Sequence, residues 1–277
     1  MDRRSFIVAA AAASVSASAA MKKPVGLELF SVRTELAKDL PGTLKAVAKM
    51  GYQGVEFFGP YADWKPEYAR EVKKILDDLK MPCLSAHTGA KYFEAAELPR
   101  VIELNVILGS KYMVMSSAGR VAGLDGWKTV AAKLNNAAEK LKPLKKGTGY
   151  HNHQLEFMPI DGKRPMEVLA AETTKDVMLQ LDVGTAIEAG TDPITWINAN
   201  PGRIKSMHLK DWKRGLANPR DGYRVLLGDG EAKWKDIVKV AIKKGGAEYF
   251  LIEQEGSDLP PLEAADKCLK NFRKLVS

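Results

Sequence analysis

From Val25 onward the chain alternates short apolar runs with longer amphipathic stretches, and it does so eight times. Short apolar runs between turn signals read as buried strands, and stretches of helical period after them read as crossover helices. Val25 to Phe30 is the first such strand. Leu40 to Met50 is its helix, with Pro41 suited to the first turn and Gly51 just past the end. Strands are expected next at Gly54–Phe58, Pro82–His87 and Lys111–Ser116, with helices at Pro66–Leu79, Leu98–Leu108 and Trp127–Leu144. The second half keeps the rhythm, with strands at Gly149–His153, Val177–Asp182, Arg203–Leu209 and Tyr249–Glu253. Its helices are expected at Met166–Glu172, Ile194–Ala199, Trp234–Lys243 and Leu262–Leu275, with a long loop from Trp212 to Lys233. Eight βα units in about 250 residues is what an α/β chain needs to close a (β/α)8 barrel. The rival, a doubly wound sheet, announces itself by a glycine-rich first turn, and Leu29-Phe30-Ser31-Val32-Arg33 is not one.

The repeat leaves out the first 20 residues. Asp2-Arg3-Arg4-Ser5-Phe6-Ile7 precedes an alanine-rich apolar stretch and an A-x-A-like cleavage site before Met21. The stretch is too short to cross a bilayer, which takes roughly 20 apolar residues. The paired arginines resemble a twin-arginine export signal. Residues 1–20 are therefore expected to direct export to the periplasm, and residues 21–277 to form the barrel. No membrane attachment is expected once the signal is removed.

The net charge of +8 raises the question of nucleic acid. The paired lysines Lys73-Lys74, Lys145-Lys146 and Lys243-Lys244 fall near expected helix ends, where cations complement the helix dipole. No arginine-rich arm or basic stripe interleaved with aromatics appears, so no nucleic-acid partner is expected. Cys83 and Cys268 fall on barrel positions that do not adjoin and are expected to be free, partly buried thiols.

In such a barrel the chemistry sits where the strands end. All four histidines, His87, His151, His153 and His208, fall at or near an expected strand end. Asp182 and Glu253 end strands as well, while Glu28 and Glu56 lie inside two others. A buried carboxylate is normally paired or metal-bound, because an isolated buried charge is very costly. Imidazole and carboxylate donors together suit one divalent ion such as Mn2+, Zn2+ or Co2+, and not a thiolate site. Such an ion polarises a carbonyl and stabilises a developing enolate, with the remaining groups serving as acid and base. The alternative for these carboxylates is a barrel-mouth ion pair with lysine or arginine. Lys210 is a candidate substrate contact, and Trp212 the best candidate to stack on a substrate.

At these residues the sequence resembles the xylose isomerase-like TIM-barrel superfamily of sugar isomerases, ketose 3-epimerases, inosose dehydratase and endonuclease IV. The resemblance spans the mature chain. It is carried by Gly51-Tyr52-Gln53-Gly54-Val55-Glu56, Ser85-Ala86-His87, Leu181-Asp182-Val183-Gly184, His208-Leu209-Lys210-Asp211 and Ile252-Glu253-Gln254-Glu255. It implies a small-molecule sugar substrate and one divalent metal (Mn2+, Zn2+, Co2+ or Mg2+) held by Asp182, His208 and Glu253. Where many relatives supply a fourth ligand in Glu-Asn-His, this chain reads His151-Asn152-His153. His151 would then take the glutamate's place and His153 would face the substrate. Glu156 would be a possible compensating carboxylate, and Glu56 and His87 further substrate contacts. The implied activity is a metal-dependent isomerase or epimerase working through an enediolate, with Glu253, His153 and His151 as acid and base groups. The alternatives are a lyase acting on a keto-sugar or 3-keto-glycoside and, after it, a non-catalytic sugar-binding barrel.

Overall fold

The structure, a computed structural model, describes residues 23–277; the expected export segment lies outside the described residues. Eight parallel strands close into a barrel in chain order, with the last pairing back on the first. They are β1 (Val25–Glu28), β2 (Val55–Phe57), β3 (Cys83–Gly89), β4 (Tyr112–Ser117), β5 (Gly147–His151), β6 (Val177–Asp182), β7 (Ser206–Leu209) and β8 (Tyr249–Ile252). Among the described residues no helix is long and apolar enough to cross a membrane.

A parallel barrel strand is buried on both faces, so its alternation sorts residues between two cores and not between core and water. In β6, Val177, Leu179 and Leu181 join the large apolar layer shared with the outer helices. Met178 instead packs with Tyr112, Val114, Tyr249 and Leu251 in a small separate cluster inside the barrel. Further along that inward row stand Gln180 and then Asp182, both fully buried. The inward rows therefore begin apolar at the strand starts and end polar at the strand ends. In β5 the row is Gly147, Gly149, His151. A side chain at Gly149 would come within 2.3 Å of Met178 Cγ, so glycine there leaves room for the apolar floor beneath His151.

The helices follow the expected pattern closely. Asp39 caps the helix Leu40–Met50 by accepting the Gly42 N–H at 2.9 Å, and Gly51 ends it in the left-handed conformation that glycine adopts without strain. The observed elements depart from expectation in several places, three of which position key side chains. β5 stops at His151, so His153 lies two residues past the strand. β7 starts at Ser206 and not at Arg203, whose buried guanidinium donates to the carbonyls of Val177 and Ala170. A helix at Val183–Glu188, not anticipated, springs directly from the end of β6 because Asp182 Oδ1 accepts the Thr185 N–H at 3.0 Å.

Candidate metal centre and active site

Four of the expected residues, His151, Asp182, His208 and Glu253, come from the ends of β5, β6, β7 and β8. One donor atom from each lies within 4.8 Å of all the others. Capping the Val183–Glu188 helix uses only Oδ1 of Asp182. Its Oδ2 is buried without a hydrogen bond of good geometry and faces His151 Nε2 across 3.8 Å. That gap is wide for a hydrogen bond but suits two ligands at about 2.0–2.2 Å from a common ion. Glu253 Oε2 lies 2.7 Å from His208 Nδ1.

Gln180, one inward position before Asp182, fixes the imidazoles. Its amide oxygen lies 3.1 Å from His151 Nδ1 and 2.6 Å from His87 Nε2, while its amide nitrogen donates to Glu56 Oε2 at 2.9 Å. With the amide so oriented, the His151 proton sits on Nδ1 and Nε2 turns its lone pair toward Asp182. Burial, reinforced by the neighbouring His208 and His87, lowers the His151 pKa well below the usual value, so the ring is neutral. His208 behaves oppositely. Burial opposes its charge, but Glu56 and Glu253 outweigh burial and raise its pKa well above the usual histidine value. Its Nε2 lies 2.6 Å from Glu56 Oε1. Burial would raise Glu56, yet the imidazoles of His87 and His208 hold it down at about 2. Glu56 is thus the carboxylate that orients a ligand histidine from behind, as such outer partners commonly do.

Both sequence-level readings of the buried carboxylates meet at Lys210. Its Nζ is 2.7 Å from Asp182 Oδ2, 3.3 Å from Glu253 Oε2 and 2.7 Å from Glu255 Oε1. Burial disfavours the ammonium, but these three carboxylates keep it protonated. Lys210 and His208 likewise hold Glu253 well below the usual carboxylate range against the effect of burial. The donor set fits a divalent cation. Two carboxylates and two neutral imidazoles would balance its charge, Asp182 Oδ2, whose close partner is the Lys210 ammonium, faces a free imidazole lone pair, and His208 would release its Nδ1 proton on binding.

Two of the four, His151 and Glu253, line a cavity of about 660 Å3 at the C-terminal mouth. His87, His153, Lys210 and Glu255 line it; His153 sits with its ring 5.0 Å from that of His151. Other expected contacts lie elsewhere. Glu56 is sealed beneath the floor. Glu156 is occupied by the Tyr150 hydroxyl and the His153 N–H, each at 2.8 Å, and stays outside the ligand cluster. Trp212 does not line the cavity, because its ring is buried under the following loop with Nε1 donating to the Pro219 carbonyl. The aromatic wall is built instead by Phe30, Phe58 and Tyr223, which sequence reasoning passed over. Gln180 was passed over too, although its spacing of two from Asp182 places it on the same inward row.

Fold and centre together define a (β/α)8 barrel with a buried imidazole–carboxylate constellation suited to a divalent ion at its C-terminal mouth. Residues 44–275 match the xylose isomerase-like TIM barrel family, and the chain belongs to it. It is 26% identical over 257 residues to an inosose dehydratase of Lacticaseibacillus casei, covering 79% of this chain and 84% of that one. A sugar phosphate isomerase/epimerase from Parabacteroides distasonis superposes with a TM-score of 0.77 at 26% identity, over 92% of this chain and 96% of the other. A xylose isomerase-like TIM barrel protein from Mycobacterium smegmatis, solved in complex with magnesium, shares the fold with a TM-score of 0.72 at 14% identity, over 93% and 97% of the two chains.

Proposed function

We propose that this protein is a metal-dependent enzyme that removes a proton beside the carbonyl of an uncharged keto-sugar. The observation that carries the reading is Glu253, a carboxylate at the cavity wall whose contacts to His208 and Lys210 both use Oε2, leaving Oε1 as a base. His151, Asp182, His208 and Glu253 would hold the divalent ion, which when bound would supply a Lewis acid for the substrate carbonyl. Glu253 takes the proton from the neighbouring carbon, Lys210 keeps Asp182 and Glu255 from competing for it, and His153 stands at the cavity to deliver a proton. Phe30, Phe58 and Tyr223 offer apolar faces to a sugar ring. Five wall carboxylates (Glu28, Glu188, Asp221, Glu253 and Glu255) face only Lys210, Arg220 and Arg224 as lysine or arginine, and Arg224 pairs with Asp258, which disfavours a phosphorylated substrate.

We favour elimination as the outcome. The proton leaves the carbon next to the carbonyl, and the bond to the β-oxygen breaks. His153 protonates the departing oxygen, which leaves as water or an alcohol, giving an unsaturated ketone. Histidine at 151 removes one carboxylate from the centre, and a single base suffices for elimination. The curated relative that is a dehydratase supports the same outcome. Isomerisation or epimerisation is the second reading, supported by His153 as a proton carrier on a different strand connection from Glu253 and by the likeness to the Parabacteroides distasonis protein.

The test has two stages. Metal content of the purified protein should be about one divalent ion per chain and should be lost in Asp182→Ala and His151→Ala. NMR in deuterated water with ketoses and 3-keto-glycosides should then show solvent deuterium at the carbon beside the carbonyl. Release of water or aglycone marks the lyase, and a rearranged sugar marks the isomerase. Full exchange in both Glu253→Gln and His153→Ala would overturn the assignment of the base and acid. We propose further that residues 1–20 direct periplasmic export by the twin-arginine route, which fractionation of an Arg3→Lys/Arg4→Lys variant tests: the variant should remain inside the cell.

A further inference from the structure

A second cavity, of about 410 Å3, opens at the opposite mouth of the barrel, where β4 to β7 begin. Its wall is dominated by cations. Lys111 leads into β4, Lys145 and Lys146 into β5, Lys175 into β6 and Lys205 into β7, with Lys142 and Arg203 completing the ring. The one acidic residue in that wall, Asp176, is paired with Lys142 at 2.8 Å. Glu248, just outside it, pairs with Lys111 and reaches Lys205 at 3.8 Å. Arg203 is committed to backbone carbonyls. Among the described residues this leaves Lys145, Lys146 and Lys175 without a carboxylate partner. Lys146 rests only on the Ser110 carbonyl, and burial lowers its pKa, so its charge is held in the wall against a desolvation cost.

Helix ends account for part of this pattern. The helices Gly123–Leu141 and Pro165–Glu172 both finish on this face, and lysines beside free carbonyls are favourable there. That effect fades within the last turn of a helix. It does not explain lysines drawn from four separate strand entries around one concavity. A cavity of this size is comparable in width with the Debye length, about 8 Å at physiological salt, so these charges repel one another with only partial screening. A multivalent anion would relieve that repulsion.

We infer that this N-terminal cavity binds a small polyanion bearing two or more phosphate or sulfate ester groups, at a site separate from the metal centre. Lys145, Lys146 and Lys175 are its principal contacts, and Tyr112 and Met178 form its floor. The metal-centre cavity is rich in carboxylates, so the two mouths of the barrel present linings of opposite charge.

Calorimetric titration of the full-length mature protein with sodium pyrophosphate and with a sulfated disaccharide tests this. At low salt the wild type should bind at least one of them with a dissociation constant of about 1 mM or tighter, weakening as salt rises. The Lys145→Gln/Lys146→Gln/Lys175→Gln variant, shown folded by its melting temperature, should lose about tenfold or more of that affinity. Asp182→Ala, at the other mouth, should bind as the wild type does. Tighter binding of the disaccharide would assign the ligand to sulfated glycans, and tighter binding of pyrophosphate to phosphate esters. Equal affinity in wild type and triple variant, or no saturable binding of either probe, would overturn the proposal and leave the lysines as helix-end complements.

Discussion

Lys210 sets the charge of the metal centre. Its ammonium lies between Asp182 and Glu253, two of the carboxylates that would ligate the ion. Replacing it by methionine leaves both buried without that partner, a kind of change that costs about 3–5 kcal/mol. The metal-free Lys210→Met variant should therefore melt on the order of ten degrees below the wild type. Addition of Mn2+ should raise its melting temperature by more than it raises that of the wild type. Scanning fluorimetry with and without Mn2+ reads both; equal increments would mean that Lys210 and the ion do not share those carboxylates. Glu56 acts one layer deeper, through its 2.6 Å contact to His208 Nε2. Glu56→Gln keeps the volume but removes the charge, and should weaken metal binding about 10–100-fold in a chelator competition. The four donors were legible because each ends a strand. Gln180 was not, because sequence shows which way a strand residue points but not which neighbours converge on it.

At the scale of elements, the connection after β7 decides who reaches the cavity. Asp211 organises it: its carboxylate accepts the N–H groups of Trp212, Gly228, Gly230 and Ala232 and the Trp234 indole N–H. The sequence offers Lys210 as a substrate contact and gives the stacking role to Trp212. The structure buries Trp212 under the folded loop and sends Tyr223 to the wall in its place. Asp211→Ala leaves five donors to find other partners, so the loop should open. Trypsin should then cut at Lys213, Arg214, Arg220 or Arg224 about tenfold faster or more than in the wild type, since cleavage follows the population of the open form. An unchanged digestion rate would show that the loop is held by packing alone.

At the scale of the whole molecule, barrel closure buries what single elements expose. Cys83 at the start of β3 and Cys268 in the helix Pro261–Val276 are both free and buried, more deeply than their sequence contexts suggested. Burial pushes their thiols up to about 12 and about 11 respectively. Almost no thiolate is present at neutral pH, and thiolate is the reactive form. Iodoacetamide should leave both unlabelled in the native protein and modify both once denaturant opens the barrel, as mass spectrometry can follow. Native labelling of either within minutes would mean that this part of the barrel opens independently of the rest.

The eightfold alternation, the order of the elements and the placing of His151, Asp182, His208 and Glu253 at strand ends are local properties. Side-chain period, capping residues and glycine positions encode them within a few neighbours, and so the sequence alone determined them. Tertiary structure decided which charges meet. Lys210 and Glu253 are 43 positions apart and Glu56 and His208 are 152 apart, yet each pair sits within 4 Å, the first because β7 pairs with β8 and the second because the closed barrel turns β2 and β7 toward one axis. Contacts of that kind depend on register and closure, which no local pattern carries. The same closure gathers the strand-entry lysines at the opposite mouth, where the sequence showed only scattered basic residues at helix ends.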